Sequence, residues 1–279
     1  MHKMMRLAPL LVMLAGPSMH AESRSSVTPT DAGQWRYMQP TSDPRGVVPH
    51  FGAAIPHIVF GGTEWQTTFL FHNPSNFTES FSILFFGDDG EPAKIPILGG
   101  MYSGVTWTIP PKGTDKISTD FRADVPDGWA YGLLFPLTGN FTNTYMQTVF
   151  KRHIPGTQDS EATVFPECPL HKEQVLIFDQ ENGYVTGVAL ANPWLDSMVR
   201  ADVYDIDGTL LGGWQIPIQA NSHKAFALSE MLPVTQNRAG TVVFTTDGLG
   251  IVGIGLRFSP DGPFTSFPMI TDPSRTTMN

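Results

Sequence analysis

Short apolar runs, each closed by asparagine, proline or glycine, recur along most of this chain. In Met198–Asp205 the residues Val199, Ala201 and Val203 alternate with Met198, Arg200, Asp202 and Tyr204. An apolar/polar period of two predicts a strand buried on one face, and "SFSILFF" from Ser80 reads the same way. Two runs end in one grammar: "FLFHNPSNF" (69–77) and "VALANPWLD" (188–196) both pass from an apolar strand into Asn-Pro. Proline has no N–H for a ladder and fixes φ, so it ends the strand, while the asparagine before it can hydrogen-bond nearby backbone and open a turn. Asp89-Gly90 and Asp207-Gly208 follow, supplying the positive φ of a tight hairpin.

The order of these signals is repeated. Asn73-Pro74 matches Asn192-Pro193, and Asp89-Gly90 matches Asp207-Gly208. "IPPKG" from Ile109 matches "IQANS" from Ile218, "GWAYGLLF" from Gly128 matches "GTVVFTT" from Gly240, and Arg152 aligns with Arg257. Five matches in one order imply a tandem duplication. Each copy holds about seven short strands in roughly a hundred residues, which predicts an all-β protein of two tandem immunoglobulin-like antiparallel β-sandwich domains. The Cys…Trp…Cys signature of antibody domains is absent, so the sequence leaves the topology open. The expected division is a signal peptide at 1–21, a flexible arm at 22–50, one sandwich at 51–165, a short linker at 166–173 and the second sandwich at 174–272. "ALSEML" from Ala227 is expected to form one helical turn capped by Ser229.

The start of the chain sets its expected compartment. "MHKMMRLAPLLVMLAG" has a short positive region at Lys3 and Arg6, then a compact apolar stretch, and Ala21 is a candidate cleavage point. Cleavage there would remove both cations and take the net charge from −9 to −11. An acidic surface repels phosphate backbones, so no nucleic-acid partner is expected. No later run approaches the ~20 apolar residues of a membrane helix. The mature chain is expected to be secreted, periplasmic or held at the cell surface. Its single cysteine, Cys168, can form no intrachain disulfide and stands in no metal-binding spacing.

The Trp-led strand, "NPS", the Asp-Gly turn, "PPKG" and "GYVTGVALANP" resemble a group of uncharacterised exported bacterial proteins of acidobacterial type. These share the two-part β layout over most of the chain. The resemblance implies fold and export; it brings no activity and no functional residues.

Chemistry is sparse. There is no G-x-S-x-G elbow, no H-E-x-x-H, no paired-cysteine motif and no Walker loop. No catalytic residue and no cofactor are therefore predicted. Asp205 and Asp207, with Asp88 and Asp89 in the other copy, are the candidate calcium ligands, although Val203 stands where an EF-hand needs an acid. His50, His57 and His72 follow no ligand spacing and read as surface or turn histidines. Among six tryptophans, Trp194 is the candidate sugar-binding aromatic: it follows Pro193 in a turn, where an indole is expected to be exposed. Phe77 is its counterpart in the first copy. The leading expectation is a non-catalytic binding or structural protein, for adhesion or carbohydrate binding, with a glycan or a cell-surface protein as partner. A secreted hydrolase with a site between the domains, and a self-assembling fibre or shell subunit, are the alternatives.

Overall fold

A computed structural model describes residues 25–33, 52–137, 145–167 and 171–271. The expected signal peptide, Cys168 and His50 lie outside these residues. The first half contains β1 (Ser26–Thr30), β2 (Ala53–Phe60), β3 (Trp65–His72), β4 (Glu79–Phe86), β5 (Ile95–Ile97), β6 (Gly100–Tyr102), β7 (Gly104–Ile109), β8 (Thr114–Ser118), β9 (Gly128–Pro136), β10 (Tyr145–Arg152) and β11 (Ser160–Val164). The second contains β12 (Glu173–Asp179), β13 (Val185–Asn192), β14 (Ser197–Asp205), β15 (Leu210–Ile218), β16 (Ser222–Ala227), β17 (Ala239–Thr246), β18 (Val252–Phe258) and β19 (Phe264–Pro268). The helical turn α1, Leu228–Met231, has Ala227 rather than Ser229 at its N-cap, with no side-chain cap bond.

The protein is all-β, two tandem sandwiches with the same strand order. In the first, β7-β4-β9-β2 faces β11-β10-β3-β8; in the second, β15-β14-β17-β12 faces β19-β18-β13-β16. Strands β3/β8 and β4/β9 occupy the two sheets as strands B/E and C/F do in an immunoglobulin domain. The end strands are exchanged relative to that fold: β2 joins β9 and β10 joins β3.

The duplicated residues do the same work in both copies. Asn73 Nδ2 donates to the carbonyls of Phe77, Ile109 and Pro110, and its Oδ1 accepts from the Ser75 N–H. Asn192 Nδ2 donates to the carbonyls of Leu195, Ile218 and Gln219, and its Oδ1 accepts from the Trp194 N–H. Each buried amide thus ties the turn after one strand to the turn between two others, donating to carbonyls of both turns. Arg152 lies over the Trp65 ring at 5.3 Å and Arg257 over the Tyr184 ring at 3.4 Å, the same cation–π pairing twice.

Two expectations are corrected here. Ser26–Thr30 is not a free arm: β1 pairs antiparallel with β7 from Ser26↔Thr108 to Thr30↔Gly104, and Ala32 behind it is buried. Trp35 and Tyr37 of the same segment lie outside the described residues. Nor is "SFSILFF" half-buried. Phe81, Ile83 and Phe85 fill the core of the first sandwich, while Leu84 and Phe86 on the opposite face are buried too.

The cause is domain docking. Leu84, Phe86, Tyr131, Leu133 and Ala54 of the first sandwich pack with Ala191, Trp194 and Val252 of the second. A neighbouring cluster joins Val59, Phe150, Ala162 and Val164 to Ala189, Ile254, Leu256 and Phe264. β2 is therefore buried along its whole length. An apolar junction of this kind holds two domains as one body, against the usual expectation of relative motion.

Candidate functional site in the domain junction

Proline and histidine interrupt the apolar strand β2 at its middle. Ile55 pairs with Gly132 and Ile58 with Ala130, so Pro56 and His57 together oppose Tyr131. Proline cannot serve the ladder, and the bulge re-aims the next side chain. His57 is thereby turned into the junction, where Nδ1 lies 2.9 Å from Nε2 of His223 on β16, with the rings stacked at 5.0 Å. His223 Nδ1 lies 2.7 Å from Oδ1 of Asp88, and the Trp129 indole N–H donates to the other carboxylate oxygen at 2.8 Å. Tyr131 stacks on His223 at 6.4 Å and Phe150 meets His57 edge-on at 5.6 Å.

Asp88 reaches this place through the tight turn after β4. Gly90 has φ 77°, and a Cβ there would meet the Ala220 carbonyl of the second domain at 2.6 Å. Gly208 in the second copy has φ 83° with nothing near its Cβ position, and Ile206, the counterpart of Asp88, is 83% exposed. The same turn is docked in one copy and free in the other.

The electrostatics follow from burial. Burial, and then the neighbouring His223, hold His57 well below the ordinary histidine value. Burial pushes Asp88 upward, but the hydrogen bonds from His223 and Trp129 outweigh it and hold the carboxyl below its usual range. Burial raises the Tyr131 phenol far above its normal value.

Beside the relay runs a groove of about 360 Å³. Its floor is Val185, Gly187, Ala189, Ala225 and Ala227 of the second domain; Trp129 and His57 of the first domain and Glu230 of α1 also line it. Trp129 is 47% exposed, and its edge is fixed by Asp88. An apolar cavity of this size with a few placed polar groups has the character of a small-ligand site.

The predicted site residues fall elsewhere. Trp194 is 9% exposed, not solvent-facing: leaving the sheet after Pro193 carries the indole into the other domain rather than into water. Phe77 is 76% exposed but does not line the groove. Asp88 belongs to the relay. Asp89 accepts from the Glu91 N–H, Asp205 from Arg238 and the Ile206 N–H, and Asp207 from the Thr209 N–H. Among the described residues no group of three or more His, Cys, Asp or Glu is placed to hold a metal ion. His57, read from sequence as a surface or turn histidine, is buried. Trp129 and His223 carried no signal by themselves. Alignment of the copies holds one: Asp88 stands opposite Ile206 and His223 opposite Thr114, polar differences at otherwise matched turns.

Comparison with known proteins adds little. No family model matches the chain, and no curated protein matches it. Among solved structures it is similar to the major pilin subunit of Bacillus cereus, at 10% identity and a TM-score of 0.16, over 75% of this chain and 55% of that one. A likeness this slight carries no argument about fold or function. Among the described residues no helix is long and apolar enough to cross a membrane.

Proposed function

We propose that the chain is an exported, non-catalytic binding protein of adhesion type, and that its ligand is a carbohydrate held in the groove at the domain junction. One observation carries this reading: the half-exposed Trp129 indole, clamped by Asp88 beside an apolar floor. A pyranose stacks its C–H face on such a ring, and a ring already fixed by a hydrogen bond loses little entropy on binding. The rigid junction keeps the wall and floor, which come from different domains, at one spacing.

The hydrolase alternative finds less support. The junction histidine that meets an aspartate, His223, meets a second histidine on its other side, where a triad needs a nucleophile. The fibre alternative would use free sheet edges. Yet β1 covers the β7 edge, and the corresponding edge strand β15 contains Pro217, which has no N–H to offer a partner. A glycan-array screen of the whole chain beside Trp129→Ala tests the proposal. Binding lost in the variant, with unfolding unchanged, supports it. Binding that survives the substitution, or no glycan bound at all, refutes it.

A further inference from the structure

Two side chains of the groove stand outside the repeated plan. Where the first copy has Trp129, the aligned strand of the second has Thr241. The first copy also has no helix between β8 and β9, the place that α1 takes in the second, and α1 is what brings Glu230 to the groove. Both groups are free for a ligand. Glu230 is exposed, and its carboxylate makes no ion pair with the described residues. Trp129 has given its one N–H to Asp88, so what it offers a ligand is its π surface, whose negative face attracts cations. Elsewhere the fold covers such rings with cations of its own, Arg152 over Trp65 and Arg257 over Tyr184; among the described residues none lies over Trp129.

The charge of the groove has one sign. No Lys or Arg is among the described residues that line it. The Asp88–His223 pair is neutral if His223 is charged and negative if it is not, and burial keeps His57 uncharged. Whichever ring donates in the His57–His223 contact, Glu230 therefore leaves the groove negative. Its floor is flat and two strands wide, with Gly187 opposite Ala227 and Ala189 opposite Ala225 in the β13–β16 ladder. Such a shelf seats a saturated ring rather than a single alkyl chain.

We propose that the groove takes a sugar bearing a free amine, its ammonium recognised by the Trp129 ring and the Glu230 carboxylate, in preference to the N-acetylated form of the same sugar. The sugar clause rests on the carbohydrate reading, whereas the recognition of an ammonium does not. Both groups are partly in water, so the ammonium keeps part of its hydration. An exposed cation–π contact and an exposed ion pair are each worth a few-fold in affinity, and the expected preference is about tenfold.

Titration of the full chain with methyl 2-amino-2-deoxypyranosides, their N-acetyl counterparts and Nα-acetyl-lysine methylamide tests this, at about pH 6.5, where the amines are protonated. The free amino sugar should bind about tenfold more tightly than its N-acetyl form. In Glu230→Gln, an exposed change whose folding a thermal melt checks, that ratio should fall to within about threefold. An N-acetyl sugar held as tightly as the amine by the wild-type chain overturns the proposal and leaves the carbohydrate reading standing. A tenfold preference that survives Glu230→Gln also overturns it. The lysine derivative bound where no sugar binds would uphold the ammonium site and refute the carbohydrate reading. Binding of none of the three refutes both.

Discussion

Truncating Trp194 to alanine tests whether the junction is the apolar weld described above. The side chain is almost wholly buried, among Ala54, Leu84, Phe86, Tyr131 and Leu133 of the other domain. A buried indole removes roughly 200 Å² from water, which at about 25 cal/mol per Å² is about 5 kcal/mol as an upper estimate. Partial collapse of the site returns some of this, and large aromatic-to-alanine changes in cores cost about 3–5 kcal/mol. The turn itself should survive, because it is the backbone N–H of Trp194 that bonds Asn192. The expected loss is therefore one of packing, about 4 kcal/mol. Urea unfolding of the full chain, followed by fluorescence and far-UV circular dichroism, measures it. Because the lost contacts lie between domains, the variant should also split into two transitions as the domains uncouple. A single transition displaced by less than about 1 kcal/mol would show that the junction does not hold the domains together, and the rigidity assigned to the groove would fall with it.

Gly90→Ala should cost clearly more than Gly208→Ala, since both carry positive φ but only the first drives a Cβ against the Ala220 carbonyl; paired thermal melts decide this. Asn73→Ala and Asn192→Ala should each lose about 2–4 kcal/mol in urea melts, because each removes several hydrogen bonds from a buried turn. Glu167, which accepts from Gln174, is pushed up to about 8 by burial. Its acid form is favoured in the fold, so stability falls as pH rises from about 4.5 to about 8, and Glu167→Gln should gain up to about 3 kcal/mol at pH 7 and almost nothing at pH 4.5. An equal gain at both pH values would contradict that origin. His57 and Asp88 act in the opposite sense: their lowered values mean that stability present above pH 6.5 is lost as pH falls, first through His57 and then below about pH 4 through Asp88. A pH series of melts on His57→Phe beside wild type should show the variant losing the first of these steps.

The all-β class, the strand-ending role of Asn-Pro, the Asp-Gly turns and the tandem repeat were legible in the sequence because each rests on local chemistry. Period-two alternation, a missing N–H and a positive φ act within a few residues of where they are written. The pairing of Arg152 with Trp65 and of Arg257 with Tyr184 was also written there, as two aligned arginines whose ring partners the fold supplied. What stands across the junction was decided only by tertiary packing. Leu84 and Phe86 read as a continuation of a half-buried strand until another domain covers their face, and Trp194 read as exposed because nothing near it in sequence could bury it. His57, Asp88 and His223 are separated by 31 and 135 residues, so no spacing rule joins them. Docking brings a bulge in β2, the turn after β4 and the start of β16 to one point. The two copies carry one local plan, and the candidate site lies where they meet, because only there does a polar group of one domain find its partner in the other.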